Sequence, residues 1–147
     1  MFYGEWEYTL DDKGRITLPA KFREELGETV LLGRGTSGQV NVYTRDAWTR
    51  LAESLEQADP ALELVRSARR LIFAVNEHEI DKQGRIMVPP FLRRYANLGY
   101  EAVILGNKDR FEIWNRDRWQ EQSAAMAVQT AGRSSVSPDE PAFAWDF

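Results

Sequence analysis

The chain has 147 residues and a formal net charge of −4, with a pI near 5.1. That length fits one ordinary domain or two very small ones, and 43% hydrophobic with 29% charged residues is a globular, soluble composition. With no cysteine and one histidine, disulfides, thiolate metal sites and chemistries needing a Cys nucleophile or a second His are excluded.

The predicted elements begin with a strand, because Trp6, Tyr8 and Leu10 alternate with polar residues. Asp11-Asp12-Lys13-Gly14 is a turn, with Gly14 free to take positive φ, and Ile16 and Leu18 resume the alternation beyond it. Pro19 opens a short helix over Ala20 to Leu26, which Gly27 ends. Short strands follow near Val30–Leu32 and Val40–Tyr43, joined through a Gly33-Arg34-Gly35…Gly38 hairpin tip. Thr44 is an N-cap type, and the helix from Arg45 to about Gln57 is expected to bury Trp48, Leu51 and Leu55. A second helix, from about Pro60 to Leu71, leads into the rest of the chain.

The sequence then repeats itself. Tyr8 to Arg23 reads YTLDDKGRITLPAKFR and His78 to Arg93 reads HEIDKQGRIMVPPFLR, identical at six of sixteen positions. Val30-Leu31-Leu32-Gly33 is answered by Val103-Ile104-Leu105-Gly106, Val42–Asp46 by Ile113–Asp117, and Trp48 by Trp119. Two units of about 45 residues are too small to be stable alone without disulfides or metal, so they are expected to share one core as a pseudo-dimer. The divisions are residues 1–58 for the first repeat with its helix, 59–72 for the linking helix, 73–129 for the second repeat with its helix, and 130–147 for a flexible acidic-aromatic tail. The fold class is α+β, mainly β, with flanking helices.

The strand period fixes where the arginines point. If Ile16, Leu18 and Ile86 face inward, Arg15 and Arg85 face outward immediately beyond a tight turn. Lys13 lies in the first turn, and Lys82 with Gln83 in the second. Arg23, Arg93 and Arg94 follow on the next helix. Arginine suits phosphates and guanine edges because its planar fork donates two hydrogen bonds at once. The plain alternative is a hairpin turn whose Arg merely pairs with its own Asp. Global charge leaves the question open, because residues 121–147 carry −3 and residues 1–120 only −1.

The runs MFYGEWEYTLDDKGRITLPAKFR and IDKQGRIMVPPFLRRYANLG resemble the MraZ family of bacterial transcriptional regulators, which carry two SpoVT/AbrB-type domains in tandem. The resemblance covers about residues 1–120. It implies an interleaved swapped-hairpin barrel and binding to double-stranded DNA. The DNA elements it implies are short direct repeats ahead of the division and cell-wall gene cluster, usually as autorepression. It also implies homo-oligomeric rings and a cytoplasmic, nucleoid-associated location. The motif's DNA-contacting arginine maps onto Arg15 and Arg85, its later basic positions onto Arg23, Arg93 and Arg94, and its turn onto Asp11, Gly14, Asp81 and Gly84. Arg23 is followed by Glu24 where such domains often have a second basic residue, which implies fewer contacts from the first repeat.

No cofactor, metal, membrane span, secretory leader or small-molecule substrate is expected. An aspartic dyad of Asp11 and Asp81 would need the two carboxylates about 3 Å apart in a protected cleft, whereas both lie in charged turns. An antitoxin-like or scaffold module without operator binding is the other class, since fold alone does not exclude it. His78 reads as an ordinary sheet residue, Arg66, Arg69 and Arg70 as a solvated helix face, and Trp6, Trp48, Trp114 and Trp119 as core. In the tail, Ser134 to Phe147, a Ser/Pro/acidic stretch precedes alternating Phe143, Trp145 and Phe147. Both a mobile end and a docking segment are compatible with that pattern.

Overall fold

The computed structural model describes residues 1–132. Met1–Arg116 is one compact unit and a second begins at Asp117. The readings made for the tail, Ser134 to Phe147, lie outside the described residues.

The first repeat supplies β1 (Glu5–Thr9), β2 (Arg15–Thr17), α1 (Ala20–Arg23), β3 (Thr29–Arg34), β4 (Val40–Tyr43) and α2 (Arg45–Glu56). After α3 (Glu63–Phe73), the second supplies β5 (Asn76–Glu79), β6 (Arg85–Met87), α4 (Pro90–Tyr95), β7 (Glu101–Asn107), β8 (Arg110–Asn115) and α5 (Arg116–Thr130). One antiparallel sheet has the order β1-β7-β8-β4-β3-β5, and β2 pairs with β6 as a separate ribbon. Exchanging the two repeats turns that strand order into its own reverse, so the sheet carries the pseudo-two-fold relation. The repeats are interleaved: β1 pairs with β7 of the second repeat, and β5 with β3 of the first. The relation passes between Asn41 and Glu112, which face each other across β4 and β8, and between Ile16 and Ile86 in the ribbon.

The α+β, mainly β fold with interleaved repeats is as expected, and the sheet does not close on itself among the described residues. The six-stranded sheet is open, with β1 and β5 as its edges. Between β1 and β2 only the isolated Leu10–Ile16 bridge connects the strands, and in the turn beyond it the Asp11 carboxylate takes the N–H groups of Lys13 and Arg15. Both edges are protected by charge: Glu5 and Glu7 on β1, Glu77 and Glu79 on β5.

The core lies where the sheet, the ribbon and α1 and α4 bury their apolar residues. Ile16, Leu18, Ile86, Val88 and Leu92 join Val30, Leu32, Val40, Val42, Phe111 and Ile113 in one cluster. Phe22 is its aromatic centre, 5.0 Å edge-on from both Phe2 and Trp6 and 5.0 Å from Phe111. On the other side of β4 and β8 sits a polar group. Glu112, buried, accepts from Arg110, Asn107 and Gln39 on one oxygen and from Trp114 Nε1 (3.0 Å) on the other.

Several elements differ from the sequence reading. Helix α1 ends at Arg23; residues to Leu26 continue only as i→i+3 turns. Helix α3 starts at Glu63, because the Asp59 carboxylate holds the N–H of Ala61 in an Asx turn outside the helix. Thr44 caps α2, accepting from Ala47 N–H at 3.1 Å. Trp48, Leu51 and Leu55 are only half-buried. Helix α2 packs on α3, where Trp48 Nε1 donates to the Ile72 carbonyl at 2.8 Å and the ring meets Phe73 edge-on, yet α3 buries no residue fully. A helical pair outside the main core leaves that seam partly open. Of the other tryptophans, Trp6 is half-buried against Phe22, Trp114 is buried, and Trp119 is the buried residue of α5. Gly38, at positive φ, does form the β3–β4 hairpin tip.

Candidate nucleic-acid interface

The two turns are built alike. Asp11 Oδ1 accepts the backbone N–H of Lys13 (3.0 Å) and of Arg15 (2.9 Å), and Oδ2 accepts Arg15 Nε at 2.6 Å. Asp81 does the same with Gln83 N–H, Arg85 N–H (both 2.9 Å) and Arg85 Nε (2.8 Å). Gly14 and Gly84 close the turns at φ +79° and +74°, a region that disfavours any residue with a Cβ. One Asp per turn thus both shapes the backbone and clamps a guanidinium.

These bonds hold both carboxyls below the ordinary aspartate range, the bond from the arginine's backbone N–H being the largest cause in each turn. Ionised carboxylates tied to arginines are poor general acids, and nothing in these turns favours the aspartic dyad. Each arginine is about one-third exposed or less, Arg85 the more covered, and Asp11 Oδ2 also stands 4.0 Å from Arg85 Nη1. The simple reading of Arg pairing with its own Asp is therefore correct as geometry. It does not use up the side chain, because the carboxylate's hydrogen bond takes Nε and leaves the Nη edge of the fork.

The ribbon brings the turns together. Leu18 N–H donates to the Gly84 carbonyl and Val88 N–H to the Gly14 carbonyl, each at 2.9 Å. With Ile16 and Ile86 fully inward, Arg15, Thr17, Arg85 and Met87 form the outward face. Beside it, Asp11, Asp12, Arg15, Thr17, Arg85 and the exposed Tyr100 line an open cleft of about 630 Å³.

The helical arginines cross over. A Cβ on Gly84 would run into the Arg23 guanidinium, and one on Gly14 into that of Arg93. Sequence order assigns Arg23 to its own turn, whereas the fold assigns it to the turn of the other repeat. Arg93 Nε is buried there with no hydrogen-bond partner among the described residues. Lys13, Lys82 and Gln83 are exposed at the turn tips and Arg94 is exposed on α4. Tyr100 and Met87 are exposed residues of this face that the sequence did not single out; for Met87 the available signal was its outward position between Ile86 and Val88. Arg66, Arg69 and Arg70 sit apart on α3, grouped around Phe73. Among the described residues no helix is long and apolar enough to cross a membrane.

The family model described as "MraZ protein, putative antitoxin-like" matches residues 1–67 and again 71–135. The chain is similar to the "Transcriptional regulator MraZ" of Lactiplantibacillus plantarum, 43% identical over 129 residues that span 87% of this chain and 92% of that one. Its likeness to the proteins of the same name from Caldicellulosiruptor saccharolyticus (43%, covering 84% and 87%) and Roseiflexus castenholzii (41%, covering 86% and 89%) extends equally far. With two family matches laid over two interleaved repeats, the chain belongs to the MraZ family.

Proposed function

We propose that this chain is a sequence-specific DNA-binding transcriptional regulator that meets duplex DNA with the β2–β6 ribbon and its two flanking turns. The observation that carries the reading is the paired Asp-x-x-Gly-Arg turn: two guanidiniums held by carboxylates, on one ribbon, each turn backed by an arginine from the other repeat. A side chain fixed before binding has less rotamer freedom to lose, so the Asp11 and Asp81 clamps favour recognition over loose charge attraction. Arg15 and Arg85 would contact phosphate or guanine, Arg23 and Arg93 the phosphates beside each turn, and Lys13, Lys82, Gln83 and Arg94 the flanking backbone. The name shared by the relatives, transcriptional regulator, supports the same reading.

The finer proposal is binding to short direct repeats upstream of the division and cell-wall gene cluster, with repression of the chain's own operon, by a homo-oligomeric ring at the nucleoid. A ring relates subunits by rotation in one sense, which suits direct repeats better than palindromes. The test is the affinity for DNA from the gene's own upstream region against unrelated duplex at two salt concentrations. A regulator shows a preference for its own region that persists as salt rises, together with a negative logarithmic salt slope. A second reading, an interaction module without operator binding, draws on the antitoxin-like description of the family. It predicts no such preference.

A further inference from the structure

On the ribbon's outward face, the side chains alternate strictly with the core. Ile86 and Val88 are buried, while Met87 between them is 46% exposed. Its cross-strand partner is Arg15; at the position related by the pseudo-two-fold, Thr17 faces Arg85. The face is thus a two-by-two array with arginines on one diagonal, and Met87 and Thr17 on the other. Side chains paired across strands stand about 5 Å apart at Cβ, so each arginine has an apolar or methyl-bearing neighbour within about two base steps, at roughly 3.4 Å each.

A lone thioether among guanidiniums is poorly suited to phosphate, which it cannot hydrogen-bond, and too small for a protein-docking patch. It does suit the major groove, which admits a two-stranded ribbon and where thymine alone of the four DNA bases presents a methyl group. An unbranched, adaptable side chain can follow that methyl without strain. We infer that Met87 is a base-reading residue that packs on the 5-methyl group of a thymine, next to the base or phosphate engaged by Arg15. Thr17, with one methyl and a hydroxyl, reads the related position differently, so the two halves of the ribbon prefer unlike base pairs. This inference rests on the DNA-binding reading of the ribbon.

The test uses the full chain and a duplex that the chain selects from a randomised pool. Each thymine is replaced in turn by deoxyuridine, which pairs identically but lacks the methyl. The inference expects a position where this replacement weakens wild-type binding about fourfold, the value of one buried methyl-sized group. At that position Met87→Ala loses nothing further, and Met87→Leu keeps the sensitivity. Because Met87 is half-exposed, both variants are expected to fold, checked by an unchanged Tm. Equal losses in wild type and Met87→Ala at every thymine, or no sensitive thymine at all, would overturn the assignment while leaving DNA binding intact. Selection of no duplex would overturn the DNA reading and this inference with it.

Discussion

Arg23, in the helix of the first repeat, lies against Gly84, in the turn of the second, so closely that a Cβ there would meet its guanidinium. Its counterpart Arg93 stands over Gly14 in the same way. The candidate interface is therefore shared property of the two repeats, and neither repeat alone carries a complete turn with its flanking arginine.

Coupling between these residues is expected as a consequence. Gly84→Ala places a Cβ at positive φ and displaces Arg23, costing about 1–2 kcal/mol of stability. It also weakens DNA binding. In a double-mutant cycle on DNA affinity, Gly84→Ala and Arg23→Ala are non-additive, whereas Gly14→Ala and Arg23→Ala, in different clusters, add.

Glu112 is the most heavily engaged buried carboxylate of the described residues, accepting from Arg110, Asn107, Gln39 and Trp114. Glu112→Ala leaves these donors without their acceptor and is expected to cost roughly 3–5 kcal/mol. Chemical denaturation checks it, and Glu112→Gln, which keeps one acceptor oxygen, loses less.

Acid sensitivity has two origins. Burial lowers the pKa of His78, whose Nε2 has no hydrogen-bond partner among the described residues. Its folded pKa lies below its unfolded value near 6.5, so the unfolded state binds the proton more readily and stability falls as pH drops below that value. His78→Gln removes this limb of a Tm-versus-pH profile. Asp11 and Asp81 are also depressed. Their contribution is present above the ordinary aspartate value of 3.8 and is lost as pH falls below it.

Much of this was legible in the sequence because it depends on local rules. Alternation placed Ile16 and Ile86 inward and Arg15 and Arg85 outward, and the repeat of D-x-x-G-R foretold two equivalent turns and a shared core. What escaped depends on pairing between distant segments. Nothing in Arg23 or Glu112 marks the first as a partner of Gly84 or the second as buried, because both follow from strand exchange. Nor does alternation alone show that the six-stranded sheet stays open, with β1 and β5 as its edges. Helix α1 fell short because a four-residue helix after Pro19 has too few hydrogen bonds to propagate.

The central claim is that Arg15 and Arg85 carry DNA recognition. The most direct measurement is the affinity of the Arg15→Ala, Arg85→Ala double variant for DNA from the gene's own upstream region, at two salt concentrations and beside a thermal melt. These solvent-screened ion pairs contribute little to stability, so the fold persists. The account predicts at least a tenfold loss of affinity, with a salt slope shallower by about one for each arginine seated on a phosphate. An unchanged affinity and slope in a folded double variant would contradict it.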